Sequence, residues 1–399
     1  MGRRHKLERL MLLSFVAAGL AAAGCQVLPD KGMSSPAGDV VVTGFNIPPR
    51  LRTGFSPCAI IGTDFIGGNL GTHGYYFRLS EKNGVVYTCR AGHIDTVHVR
   101  IAADWTAYLT AKSYRHLVRG DPSFSYKLVA DRSHHTVHIS YPANWQSLPP
   151  EQQRRAAREA ALTMGPYLAF TMVSWHEIIT WYGFHCVGVV PESYSAFSWE
   201  DSYSNLLGTL IAARALRDTR HSYDEAMSIA LDEELRALGV QPGSVSKQAS
   251  ESVRGKWYIG HLGPLLRVMK RNCDIGADDG YVTPVLVPNV PGVARAEPVS
   301  YPAPTLDALS QYGLRASVEI EPHEWERGKV FRVVYPDGRG TRIYPAIHFA
   351  PIQARIRQEI IDKYGPEMAA NPPSATMRNP TVRSQPALAR TQGGTVGHN

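Results

Sequence analysis

The densest run of reactive side chains in the sequence is Tyr87-Thr88-Cys89-Arg90-Ala91-Gly92-His93-Ile94-Asp95-Thr96-Val97-His98-Val99-Arg100. With Asp95 at a helix start, His98 lies on the same side of the first turn, and His93 arrives from the segment just before it. Imidazoles and a carboxylate in that arrangement suit zinc or another divalent ion. The structural alternative has Asp95 as a cap, His98 packed or hydrogen-bonded, and His93 on the surface. A second group, Ser174-Trp175-His176-Glu177-Ile178-Ile179-Thr180-Trp181, looks like half of the H-E-x-x-H helix of zinc proteases. Thr180 stands where the second histidine would be, so any further ligands must come from other segments. On so apolar a helix Glu177 has to be paired, protonated or metal-bound, and an arginine such as Arg90 or Arg100 is the structural partner to expect. The third group, Phe197-Ser198-Trp199-Glu200-Asp201-Ser202-Tyr203-Ser204-Asn205, puts two acids in a first helical turn, where they complement the helix dipole. Asn205 follows Asp201 by one turn and shares its face.

Together these segments point to a metal-dependent hydrolase. His93, Asp95, His98 and His176 are the candidate ligands, and Glu177 is the candidate catalytic base, taking a proton from bound water. Arg100, Glu200, Asp201 and Asn205 are further site candidates. Two other functions fit the same residues. Cys89, with His93 or His98 as base, would make a cysteine hydrolase. A non-catalytic scaffold or binding module would use the polar residues as a buried hydrogen-bond and ion-pair network. The remaining cysteines are Cys25, Cys58, Cys186 and Cys273, with no C-x-x-C spacing, so one or two disulfides are expected, Cys58 with Cys89 first among them.

These three segments in this order, with Ala103-Asp104-Trp105-Thr106-Ala107-Tyr108-Leu109 and the continuation to Leu206-Leu207-Gly208, resemble an uncharacterised family of bacterial lipoproteins, domain of unknown function 4056. The resemblance runs from about residue 50 to about residue 365. It implies an exported Gram-negative lipoprotein and brings no established activity.

The elements that must position these groups can be read from pattern. Gly84 to Thr88 reads as a strand. Asp95 caps a helix to about Val118, closed by Gly120. Phe124 to Val129 and Thr136 to Tyr141 read as a hairpin. A helix runs from Pro150 to Tyr182 with a break or kink at Gly165-Pro166. Further helices run from Ser198 to about Arg217 and from the Ser222/Glu225 capping box to Gly239. Ala316 to Ile320, Lys329 to Tyr335 and Arg342 to Tyr344 read as a small meander, and a last helix runs from Ile352 to Tyr364. The fold class is α+β, largely helical in its middle, with small antiparallel hairpins, and a disordered tail is expected at 366–399. Residues 51–365 read as one globular domain, with 281–350 as a candidate sub-lobe.

At 399 residues, 44% hydrophobic and 19% charged, the composition is that of a globular chain, too apolar for a disordered one. Residues 1–24 read as a signal peptide, with Arg3, Arg4, Lys6 and Arg9 ahead of an apolar stretch too short to span a bilayer. Leu20-Ala21-Ala22-Ala23-Gly24-Cys25 looks like a lipobox, which makes Cys25 the acylated residue and 25–50 a tether. Gln26 favours delivery to the outer membrane, facing the periplasm. Without the signal the formal charge of +7 falls to +4, scattered and without a basic-aromatic cluster, so nucleic acid is not an expected partner. The expected partners are the membrane, through Cys25, and an envelope substrate or protein.

Overall fold

Val85–Thr88 (β1) turns through Cys89-Arg90-Ala91 and returns as Gly92–Asp95 (β2), with Val85 opposite Asp95 and Tyr87 opposite His93. Gly92 sits in the left-handed region at φ 65°, and a Cβ there would overlap the Val285 carbonyl oxygen, so the return needs glycine. Asp95 is both the last residue of β2 and the cap of helix α1 (Thr96–Arg119), its Oδ1 accepting the Val97 amide at 2.7 Å. Strand runs into helix without a loop. The computed structural model describes residues 44–49, 64–75, 80–128, 131–185, 192–260 and 266–370. The signal segment, Cys25, Cys58, Cys186 and the tail from 371 onward lie outside the described residues.

Helix α1 is buried on nearly every side through Val99, Ala103, Trp105 and Leu109, and Gly120 ends it in the left-handed conformation, its N–H returning to His116 and Leu117. Two helices pack on it, α2 (Pro150–Trp181) and α3 (Asp201–Ala215). At each crossing a glycine admits the neighbour. A Cβ on Gly165 of α2 would overlap the Thr110 hydroxyl, and one on Gly208 of α3 would overlap the Val99 carbonyl. Helix α4 (Tyr223–Ala237) carries the expected reciprocal Ser222/Glu225 box, and α5 (Gly243–Ser252), which the sequence pattern did not announce, lies along β1.

The main sheet joins β3 (Ser123–Tyr126), β4 (His134–Ser140) and, after two short pairs at Tyr258–Ile259 with Arg267–Val268 (β5, β6) and Tyr281–Val282 with Tyr301–Pro302 (β7, β8), the late strand β9 (Arg315–Glu321). Val137 faces Phe124 on one side and Val318 on the other, so the inward positions of β4 form the sheet's apolar face. Helices α6 (Arg327–Val334) and α7 (Pro345–Tyr364) follow, and the first residues of the expected disordered tail are instead ordered, a helical turn at Pro366–Met368 leading the buried Ala369 into a bridge with Arg271. The architecture is α+β.

Three expectations change. The strand at Lys329 to Tyr335 is helix α6, because Val330, Val333 and Val334 also satisfy a helical stripe and Val330 is buried. Arg342 to Tyr344 contributes a single bridge, Ile343 to Ile320, so the meander is one strand laid beside the earlier hairpin. Helix α2 continues through Gly165-Pro166, where α1 packs against it. Because Gly208 sets the α1–α3 distance, Gly208→Ala is expected to lower unfolding stability by about 1–3 kcal/mol through overpacking, read by urea denaturation. An unchanged midpoint would contradict so close an approach.

Candidate functional site

The starts of α1 and α3 meet the last turns of α2, and five ionisable side chains converge there. Asp95 Oδ2 stands 3.1 Å from His98 Nδ1, and His98 Nε2 stands 3.8 Å from Asp201 Oδ1. Asp201 Oδ2 accepts the Ser198 amide at 2.8 Å, and Glu177 Oε2 of α2 accepts the preceding amide, that of Phe197, at 2.8 Å. Glu200 Oε1 accepts the Ser198 hydroxyl, and Ser204 Oγ accepts the Asp95 amide. All four carboxylates are buried, while His98 keeps 20% of its side chain exposed and so forms the solvent side of the group. Among the described residues no lysine or arginine forms an ion pair with any of the four.

The loop that delivers the two amides is strained. Phe197 holds φ at 56°, in the left-handed region, at a cost of about 1–3 kcal/mol for a non-glycine residue. Its surroundings keep it there. The buried Arg271 guanidinium donates to the carbonyls of Tyr194 and Ala196, the Asn272 amide donates to the Phe197 carbonyl, and the Phe197 ring is itself buried.

Charge in this group is set by burial and crowding. Burial and then the Asp201 carboxylate push the Glu200 carboxyl well above its ordinary range. Asp201 is raised to about 7, by burial first and then by Glu177. Burial opposes charging of the His98 ring, but the carboxylates of Asp201 and Asp95 outweigh it and hold it well above the ordinary imidazole range. An imidazolium therefore lies beside a carboxyl that titrates near neutrality, the combination that proton-transfer sites use.

The other candidates stand elsewhere. His93 is buried against Tyr87 and Trp199, with Nε2 on the Ser246 carbonyl at 3.2 Å and Nδ1 accepting the Trp199 indole N–H at 3.2 Å. Burial lowers it to about 4, so it is neutral with both nitrogens engaged, and it joins no ligand set with Asp95 and His98. His176 faces away, its Nδ1 2.6 Å from Asp131 Oδ1, in a network where Glu324 accepts the amides of Arg132 and Ser133. Among the described residues no three His, Cys, Asp or Glu side chains form a group that could hold a metal ion. Glu177 takes a backbone amide in place of the expected guanidinium. Arg100 instead binds the carbonyls of Leu70 and Lys82 and lies 3.6 Å from Glu81. Cys89 and Cys273 are free thiols among the described residues, the expected Cys58–Cys89 bridge lies outside them through Cys58, and Cys89 Sγ accepts from Gln241 rather than facing an imidazole. Asn205 is buried one turn after Asp201, with its Oδ1 and the second Glu200 oxygen lacking hydrogen-bond partners.

The sequence reading passed over a second buried cluster, in which His73 Nε2 meets Asp104 Oδ1 at 2.8 Å beside Glu81 and Arg100. Its signal was present as Arg100 and Asp104, one turn apart on an otherwise apolar helix.

Residues 68–283 match the sequence profile of a family described as a protein of unknown function, DUF4056. The chain belongs to the DUF4056 family. The match is shorter than the extent suggested by motifs, yet it contains both polar clusters, while the DUF4056 region ends before β9, α6 and α7. No curated protein and no solved structure matches the chain.

Since Asp201 is raised in the fold from the ordinary value of about 4, its favourable contribution is complete below pH 4 and lost as the pH rises through about 7. Asp201→Asn should therefore stabilise the fold by about 1–3 kcal/mol at pH 8 and make little difference at pH 4.5, measured by denaturant unfolding at both. Destabilisation at pH 8 would show that the ionised carboxylate supports the fold.

Proposed function

We propose that the centre formed by His98 and Asp201 is the acid–base site of an envelope hydrolase, carried on a lipoprotein anchored in the outer membrane through Cys25. The observation that carries the catalytic part is the 3.8 Å pairing of the partly exposed His98 ring with a carboxyl held near pH 7, inside four carboxylates that pair with no lysine or arginine among the described residues. Asp201, ionised, takes a proton from water, which attacks the substrate, and the His98 imidazolium gives its Nε2 proton to the leaving group. The proton then passes from Asp201 back to His98, restoring both. Asp95 positions the ring through Nδ1, and Glu177 keeps Asp201 from ionising at lower pH. This reading replaces the four-ligand metal site with proton transfer by the chain's own groups.

The test is a screen of peptidoglycan, peptides and phospholipids with the purified protein, in parallel with measurement of its metal content. Turnover should rise with pH through about 7, as Asp201 ionises, and fall by about 100-fold or more in His98→Ala. Asp201→Asn should lose the acidic limb of the profile. Turnover that is unchanged in either variant would overturn the assignment, and near-stoichiometric zinc lost in His98→Ala would replace it with metal catalysis.

The anchor rests on the small residues before Cys25 and the short apolar core preceding them. Cys25→Ala should abolish incorporation of labelled fatty acid and move the protein out of the outer-membrane fraction. Retention of label would place acylation at another residue.

A further inference from the structure

Outside the carboxylate centre, the end of α2 forms the floor of a cavity of about 820 Å³ whose walls are α6 and α7. Lys329 and Arg332 lie three apart on α6, so they share one face, and Arg355, Glu359 and Lys363 follow one another at single turns on α7. Two basic helix faces therefore look at each other across the cavity. The one acid among these residues is already engaged, Glu359 accepting from the Trp181 indole at 2.8 Å and from Arg355 at 2.8 Å. Cations near helix ends commonly complement the dipole, and Lys329 does so by donating to the Tyr182 carbonyl at the end of α2. Arg332 and Lys363 lie in the last turns of α6 and α7, and Lys363 also sits over the Trp181 and Tyr364 rings, but these local roles do not account for four cations lining one cavity.

Tyr182 supplies a second, independent observation. It lines the cavity, is more than nine-tenths buried, and its hydroxyl has no hydrogen-bond partner. A buried hydroxyl without an acceptor destabilises the fold unless something else meets it. Burial and the Glu359 charge raise the phenol above its ordinary value, so it stays protonated and available as a donor.

We infer that this cavity binds a phosphomonoester or diphosphate group, with the Tyr182 hydroxyl and the cations of α6 and α7 as donors. A single carboxylate would need one guanidinium. Several cations converging on one volume, with a neutral donor at its floor, match a multiply charged anion with several acceptor oxygens. The group could be free or the head of a lipid, and the two sources differ only in what is attached to it.

Calorimetric titration of the full chain with pyrophosphate and, separately, with monomeric dihexanoylphosphatidic acid tests the inference and tells the sources apart. Binding of either probe is expected, weakening with salt and falling about tenfold in both Arg332→Gln and Lys363→Gln, whose side chains lie away from the core. Preference for pyrophosphate would indicate a soluble ligand, and preference for the lipid a headgroup. Tyr182→Phe should weaken binding of the preferred probe while leaving urea stability unchanged or higher. Failure of both probes at millimolar concentration, or binding indifferent to both charge variants, would overturn the site. Neither result depends on catalysis at His98.

Discussion

One carboxylate does two jobs at the junction on which the geometry of the polar centre depends. Asp95 Oδ1 satisfies an amide at the start of α1, and its Oδ2 faces His98 one turn later. The first contact fixes where the helix begins and the second fixes which way the imidazole points, so backbone order and side-chain order come from the same residue. Since Asp95 also closes β2, the strand pairing with β1 sets the direction in which the helix leaves. A register slip of one residue would turn both functions off together.

The electrostatic balance around that junction explains why the carboxyls do not all ionise. Helix starts favour nearby anions by about 0.3–1 kcal/mol, up to about 2 in partly buried geometry. Removing an ion from water costs several kcal/mol, and neighbouring carboxylates repel one another in a poorly screened interior. Two helix starts and one imidazolium do not offset four buried negative charges, so protons remain on some of them. Glu200 is pushed well above the ordinary carboxyl range, and Asp201 is raised to about 7.

Much of this was legible in the residues themselves. Asp95 as a cap, Gly120 as a terminator, the Ser222/Glu225 box and the pairing of β3 with β4 are local signals, and the fold keeps them. Grouping Asp95 and His98 with Glu177 and Asp201 also follows from polar residues interrupting apolar helices. What sequence spacing could not give was direction. His93 and Asp95 alternate on one strand and would be expected on the same face, yet the bulk of Trp199 and the carbonyl of Ser246 claim the His93 ring. His176 is adjacent to Glu177, and on a helix neighbours diverge by about 100°, so one reaches Phe197 and the other Asp131. The seven residues from Lys329 satisfied two periodicities at once, and burial of Val330 decided between them.

The glycine at position 208 limits how this protein can move. With backbone nearly touching backbone between α1 and α3, neither helix can turn about its axis without collision, and such packed elements shift as units rather than bending smoothly. The positions from which Asp95 and Asp201 project are thus held as if on one rigid frame. The loop through Phe197 is tied to that frame by hydrogen bonds rather than by close packing of backbones. Any rearrangement that accompanies a ligand's arrival or departure must be taken up there, where release of a left-handed phenylalanine would return stored strain as motion.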